Sequence, residues 1–90
     1  MLTVTAGAAT LIPALNLNAG GSHGSGLRIV IDPVHESLSM SLASRPAPSD
    51  TVVVSFDTRV FLSSDASQRL ASRTLQAHTT PTRSSFFFSP

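Results

Sequence analysis

The sequence predicts a mainly β fold with short helices, built as a β-sandwich or partly open barrel. Three observations carry this. Two runs, 27–32 (LRIVID) and 38–43 (LSMSLA), alternate apolar and polar residues. A third run, 51–56 (TVVVSF), is β-branched and lies one turn away from a fourth, 59–62 (RVFL). Only two short stretches show helical spacing. Antiparallel hairpins with few helices make sandwiches and barrels rather than parallel α/β sheets.

The chain opens on a helix. Thr5 suits an N-cap, and Ala8, Leu11, Ile12 and Leu15 fall at the i, i+3, i+4, i+7 spacing of one buried face. Gly7 and Pro13 oppose it, since an interior Pro removes a backbone donor and costs about 3 kcal/mol. The expectation is a short, kinked helix held by tertiary contacts. Residues 19–26 (AGGSHGSG) read as a flexible, solvated loop. They share glycine content with phosphate cradles, but neither the GxGxxG spacing nor the Lys-Ser/Thr ending.

In 27–32, Leu27, Ile29 and Ile31 share one face. In 38–43, Leu38, Met40 and Leu42 are expected inward, with Ser39 and Ser41 outward. The linker 33–37 (PVHES) is short enough for a hairpin, and 44–50 (SRPAPSD) reads as a Pro-rich surface loop. Asp57-Thr58 is the expected turn of a second hairpin. Pairing of the valine run with Phe61 is expected to bury apolar area on both faces. Residues 63–70 (SSDASQRL) offer Ser and Asp caps and an Ala66/Leu70 pair one turn apart, hence a short helix. Strands at 73–77 and 85–89, around a turn region at 78–84, close a single domain. Phe86 and Phe88 are expected inward and Phe87 outward, because a core without Trp or Tyr needs that bulk. The same uncharged run also fits a peptide anchor or an aggregation-prone edge.

Composition narrows the function. A chain of 90 residues buries only about 60–65% of its unfolded surface, so a partner subunit is an expected source of stability. Zero cysteines remove disulfides, thiolate zinc sites, thiol catalysis and cysteine-ligated clusters. The reducing cytoplasm fits. Net charge is +1, and the basic residues, all Arg, are scattered at 28, 45, 59, 69, 73 and 83. Nucleic-acid binders cluster such residues and add stacking platforms, so no nucleic-acid partner is expected. The apolar stretch 6–15 lacks the basic lead of a secretory signal. It also falls short of the ~20 residues that span a bilayer, so no membrane role is expected.

Candidate chemistry is sparse. Fifteen serines make chance Ser/His/Asp sets inevitable, and there is no G-x-S-x-G elbow. No enzyme is expected, and no cofactor. His23 and His78 fall in expected loops, at the surface. Asp32, His35 and Glu36 form D-x-x-H-E. Imidazole with carboxylates suits Zn²⁺ or Fe²⁺. The plainer reading is a solvated turn in which adjacent His35 and Glu36 point apart.

Several words, in order, resemble the HesB-like domain of A-type iron–sulfur cluster assembly proteins. They are 2–12 (LTVTAGAATLI), 26–31 (GLRIVI), 37–40 (SLSM), 48–54 (PSDTVVV) and 59–75 (RVFLSSDASQRLASRTL), with 85–89 similar to the closing strand. The resemblance implies a HesB-like β fold. In cluster-binding members one cysteine precedes the strand matched by 38–43, and aligning Leu38-Ser39-Met40 sets it at His35. The other two belong to a Cys-Gly-Cys tail beyond the last strand, and this sequence stops at Pro90 before any such tail. The resemblance therefore implies a relative of the iron–sulfur carriers that has lost the ligands. Its expected partners are proteins, either assembly components or a second copy of itself. The alternatives are a metal-binding protein using His35 with Asp32 or Glu36, and an interaction module unrelated to iron.

Overall fold

The computed structural model describes residues 1–18, 25–32 and 34–90. Chain order is β1 (Thr3–Val4), α1 (Ala6–Asn18), β2 (Gly26–Ile31), β3 (Leu38–Ala43), β4 (Thr51–Ser55), β5 (Thr58–Leu62), α2 (Ser64–Arg69), β6 (Thr74–Thr79) and β7 (Ser84–Ser89). Two sheets form, ordered β3-β2-β5-β4 and β1-β6-β7. The mainly β expectation holds. The two-residue β1 adds an element that no pattern of that length could announce, and it runs parallel to β6. The expected 19–26 loop and His23 lie largely outside the described residues. His78 sits on β6, opposite Ser85, rather than in a loop.

One apolar cluster joins both sheets and the helices. Leu27, Ile29 and Ile31 of β2, Val53 of β4 and Val60 and Leu62 of β5 meet Ala8, Ala9 and Ile12 of α1. Leu75 of β6 completes it, with Phe86 and Phe88 of β7 packed against its rim. Phe87 faces away, as alternation requires. Glycine is obligatory at Gly26. A Cβ there would collide with the Arg59 carbonyl oxygen and sit 2.9 Å from the carbonyl carbon, so a side chain would pry β2 from β5.

Helix α1 begins as expected: the Thr5 hydroxyl accepts from the Ala8 amide at 3.3 Å and donates to the Leu75 carbonyl at 3.2 Å. It then runs through Pro13. Pro13 has no N–H to offer the carbonyl four residues back, at Ala9. The buried Thr58 hydroxyl donates to that carbonyl instead, at 2.8 Å. Helix α2 is capped by Ser63, whose side chain accepts from the Ala66 amide, and it buries Ala66; Leu70, the C-cap, is buried beside it.

Two expectations change. Leu38, Met40 and Leu42 do face the core side, opposite Ile31, Ile29 and Leu27, yet they remain 36–42% exposed. The reason is position: β3 is an edge strand and overhangs the core. The β4–β5 turn is Phe56-Asp57, not Asp57-Thr58, since Ser55 pairs with Thr58. Both turn residues have positive φ, 50° and 61°, the geometry of a two-residue type I′ hairpin. Pairing of the valine run with Phe61 buries apolar area on both faces, Val53 on one and Phe61 on the other, while Val52 and Val54 stay exposed.

Phe61 is fully buried on the opposite face of the sheet from the main cluster. The covering loop, 44–50, is pinned by a bidentate pair. Arg28 Nε donates to Asp50 Oδ2 at 2.9 Å and Nη2 to Oδ1 at 3.2 Å. Asp50 also accepts from the Ala47 amide. The Arg28 guanidinium holds the Asp50 carboxyl below its ordinary range, against the opposing effect of burial. A carboxyl depressed on folding adds stability above its unfolded value of about 3.9, and loses it as pH falls through the lower folded value. Urea midpoints of the wild type should therefore fall below pH ~4. The gap between wild type and Asp50→Asn should be full at pH 7 and shrink in that acid range. A gap independent of pH would remove the ion pair from the explanation.

Candidate functional site

The D-x-x-H-E residues occupy the β2–β3 turn. Asp32 Oδ1 accepts from the Val34 amide at 2.8 Å and the His35 amide at 3.4 Å. This is the local turn that short acidic side chains favour. Oδ2 lies 3.0 Å from His35 Nδ1. The His35 contact, followed by the two amides, lowers the Asp32 pKa. His35 itself is largely exposed.

Glu36 leaves this pair. Its φ of 53° turns the chain back into β3, and its amide donates to the Asp32 carbonyl at 2.7 Å. Its carboxylate instead accepts from Arg69 Nη2 of α2 at 3.1 Å. Asp32 and His35 are thus brought together, and Glu36 is drawn to a cation. No group of three or more His, Cys, Asp or Glu takes ligand geometry among the described residues. Beside the turn lies a cavity of about 230 Å³, lined by Ile31, Glu36, Asp65, Gln68 and Arg69. No local pattern marks Arg69, because its contact spans 33 positions.

A second concavity lies on the outer face of the four-stranded sheet. It measures about 330 Å³ and is lined by Ser44, Arg45, Pro46, Val52, Arg59 and Phe61. Neither the Arg45 nor the Arg59 side chain has an ion-pair or hydrogen-bond partner among the described residues. Among the described residues no helix is long and apolar enough to cross a membrane.

The sequence matches no protein-family profile and no curated protein. Solved structures are more informative. The chain is similar to IscA, determined with the [2Fe–2S] cluster, at a TM-score of 0.80 and 18% identity, covering 99% of this chain and 84% of that one. It is similar also to Escherichia coli SufA, a protein involved in biosynthesis of iron–sulfur clusters. There the TM-score is 0.79 and the identity 19%, over 98% of this chain and 83% of that one. The chain therefore has the fold that IscA and SufA share.

Proposed function

We propose that this chain is a non-catalytic, HesB-like protein of iron–sulfur cluster assembly that acts through protein contacts and holds no cluster with its own residues. The supporting observation is a fold likeness over essentially the whole chain combined with the absence of any thiolate. A [2Fe–2S] cluster needs four ligands, chiefly thiolates. At the turn matched by resemblance to a ligand position stands His35, with Nδ1 against Asp32, leaving one ring nitrogen. Such a donor set does not fit a cluster. The cytoplasm is the proposed setting.

A second reading draws on the Asp32–His35 contact. A carboxylate on one imidazole nitrogen orients the other toward a metal. Glu36, held by Arg69, is not part of such a set. One preparation separates the readings. Isolated without oxygen, the protein should be colourless and free of iron and sulfide, and as bait it should retain a cysteine-bearing A-type protein from extract. A stoichiometric cluster on the isolated chain overturns the proposal. Retention of no assembly component leaves an interaction module unrelated to iron. Stoichiometric zinc that disappears in His35→Ala supports the second reading.

A further inference from the structure

We infer that strand β4 and the Arg45–Arg59 groove form a docking surface for an extended acidic segment of a partner protein, which adds to the sheet as a further strand.

The backbone argument comes from register. β4 is an edge strand. Ser55 and Thr58 close a two-residue hairpin, so Ser55, Val53 and Thr51 exchange hydrogen bonds with β5 in alternation. Val52 and Val54 occupy the intervening positions. Their amides and carbonyls point away from β5, toward the open edge. Natural proteins protect such edges with charges, Pro or a bulge. The run TVVVS carries none of these. An incoming strand pairs with the free groups of Val52 and Val54, the mode of sheet extension used in peptide recognition.

The side-chain argument concerns the outer face. Val52 and Val54 stand there in line, 39% and 62% exposed, and Phe56 projects beyond them from the hairpin tip at 69%. Phe56 is held at φ 50°. The left-handed region costs a side-chain-bearing residue about 1–2 kcal/mol, so this turn is not optimised for stability. The groove beside the strand is lined by the apolar Val52 and Pro46 over the buried Phe61, together with Arg45 and Arg59.

Charge identifies the occupant. Asp50, the acidic residue of the covering loop, is already spent on Arg28. Asp57, at the hairpin tip, makes no ion pair with either groove arginine. Arg45 and Arg59 thus leave uncompensated positive charge beside an open edge. Arg59 lies opposite Val54 on β5, two strand spacings from an added strand, or about 10 Å. An arginine and a glutamate side chain together bridge that distance. A second copy of this chain would bring its own Arg45 and Arg59 to the contact, against a single acid on the hairpin, Asp57. An acidic, partly apolar segment matches both the arginines and the apolar lining.

This inference rests on the protein-contact part of the functional reading, and its test is independent of iron. The probe is a fluorescein-labelled peptide of alternating glutamate and valine, followed by anisotropy. Controls are the lysine–valine counterpart and a labelled single-stranded oligonucleotide. The acidic peptide should bind, and binding should weaken in raised salt. Arg45→Ala with Arg59→Ala should weaken it about tenfold, the scale of two partly screened charge contacts. Val54→Pro removes an outward amide and should abolish binding; Val54→Lys, which keeps that amide, covers the case in which the proline variant misfolds, and should weaken binding by blocking the outer face. Circular dichroism checks folding of each variant. Equal binding of both peptides, stronger binding of the oligonucleotide, no binding, or an unchanged affinity in the arginine double variant overturns the inference. So does self-association that alone accounts for the anisotropy change. Retention of an iron–sulfur assembly protein in the bait experiment is unaffected by any of these results, so the two readings fail separately.

Discussion

Replacing Phe61 by Ala should destabilise the fold by about 3–5 kcal/mol, the usual loss for a fully buried aromatic. That is a large part of the ~5–15 kcal/mol that holds a whole domain. The ring lies outside the main cluster, on the far side of the sheet, so its burial depends on the loop 44–50. Asp50 and Arg28 fasten that loop. The Phe61 ring is therefore a small buried spot on an otherwise open outer face, closed by a loop that an ion pair fastens instead of by a second layer of structure. Val54→Ala, on the same face but exposed, should stay within about 0.5 kcal/mol of wild type. Urea unfolding of both variants measures the contrast. A loss below ~1 kcal/mol for Phe61→Ala would mean that the loop does not exclude water from the ring.

The pair Phe61 and Val54 shows where sequence reading stops. Alternation located both strands of the hairpin and separated their faces. It carried no information on which face would be covered, since the cover comes from a Pro-rich loop with no periodicity. β3 makes the same point. Leu38 and Ile31 sit directly opposite each other with the same pattern, yet one is 42% exposed and the other 6%. The difference is the strand order β3-β2-β5-β4, in which β2 pairs in parallel with β5. Nonlocal pairing of that kind leaves no local mark. The Phe56-Asp57 turn was displaced by one residue because neither member is a usual positive-φ residue. In the candidate site, Asp32 and His35 were legible as an i, i+3 pair within one turn. The Glu36–Arg69 contact and the Arg45–Arg59 groove were not, since each joins segments distant in the chain.

One long-range contact explains how a sequence cost is met. Pro13 should break α1, yet the helix continues to Asn18. The interruption leaves the Ala9 carbonyl without its helical donor, inside the protein, and Thr58 supplies one. Thr58→Val should therefore cost about 1–3 kcal/mol, the penalty of an unsatisfied buried acceptor. Pro13→Ala should stabilise by up to ~3 kcal/mol, because position 13 is exposed and the change restores a helix-forming residue. The decisive quantity is the coupling. In the Pro13→Ala background the residue-13 amide reaches the Ala9 carbonyl, so losing the Thr58 hydroxyl no longer strands it. Thr58→Val should then be nearly neutral, with about 1–3 kcal/mol of non-additivity between the two substitutions. Additive effects across the double-mutant cycle would show that the hydroxyl acts through the β4–β5 turn, where it also approaches the Phe56 carbonyl at 3.5 Å, and not through the helix. The expected result is the coupled one. The 2.8 Å contact is the shorter of the two and the more deeply buried, and a buried carbonyl left bare costs more than an exposed turn carbonyl that water can reach.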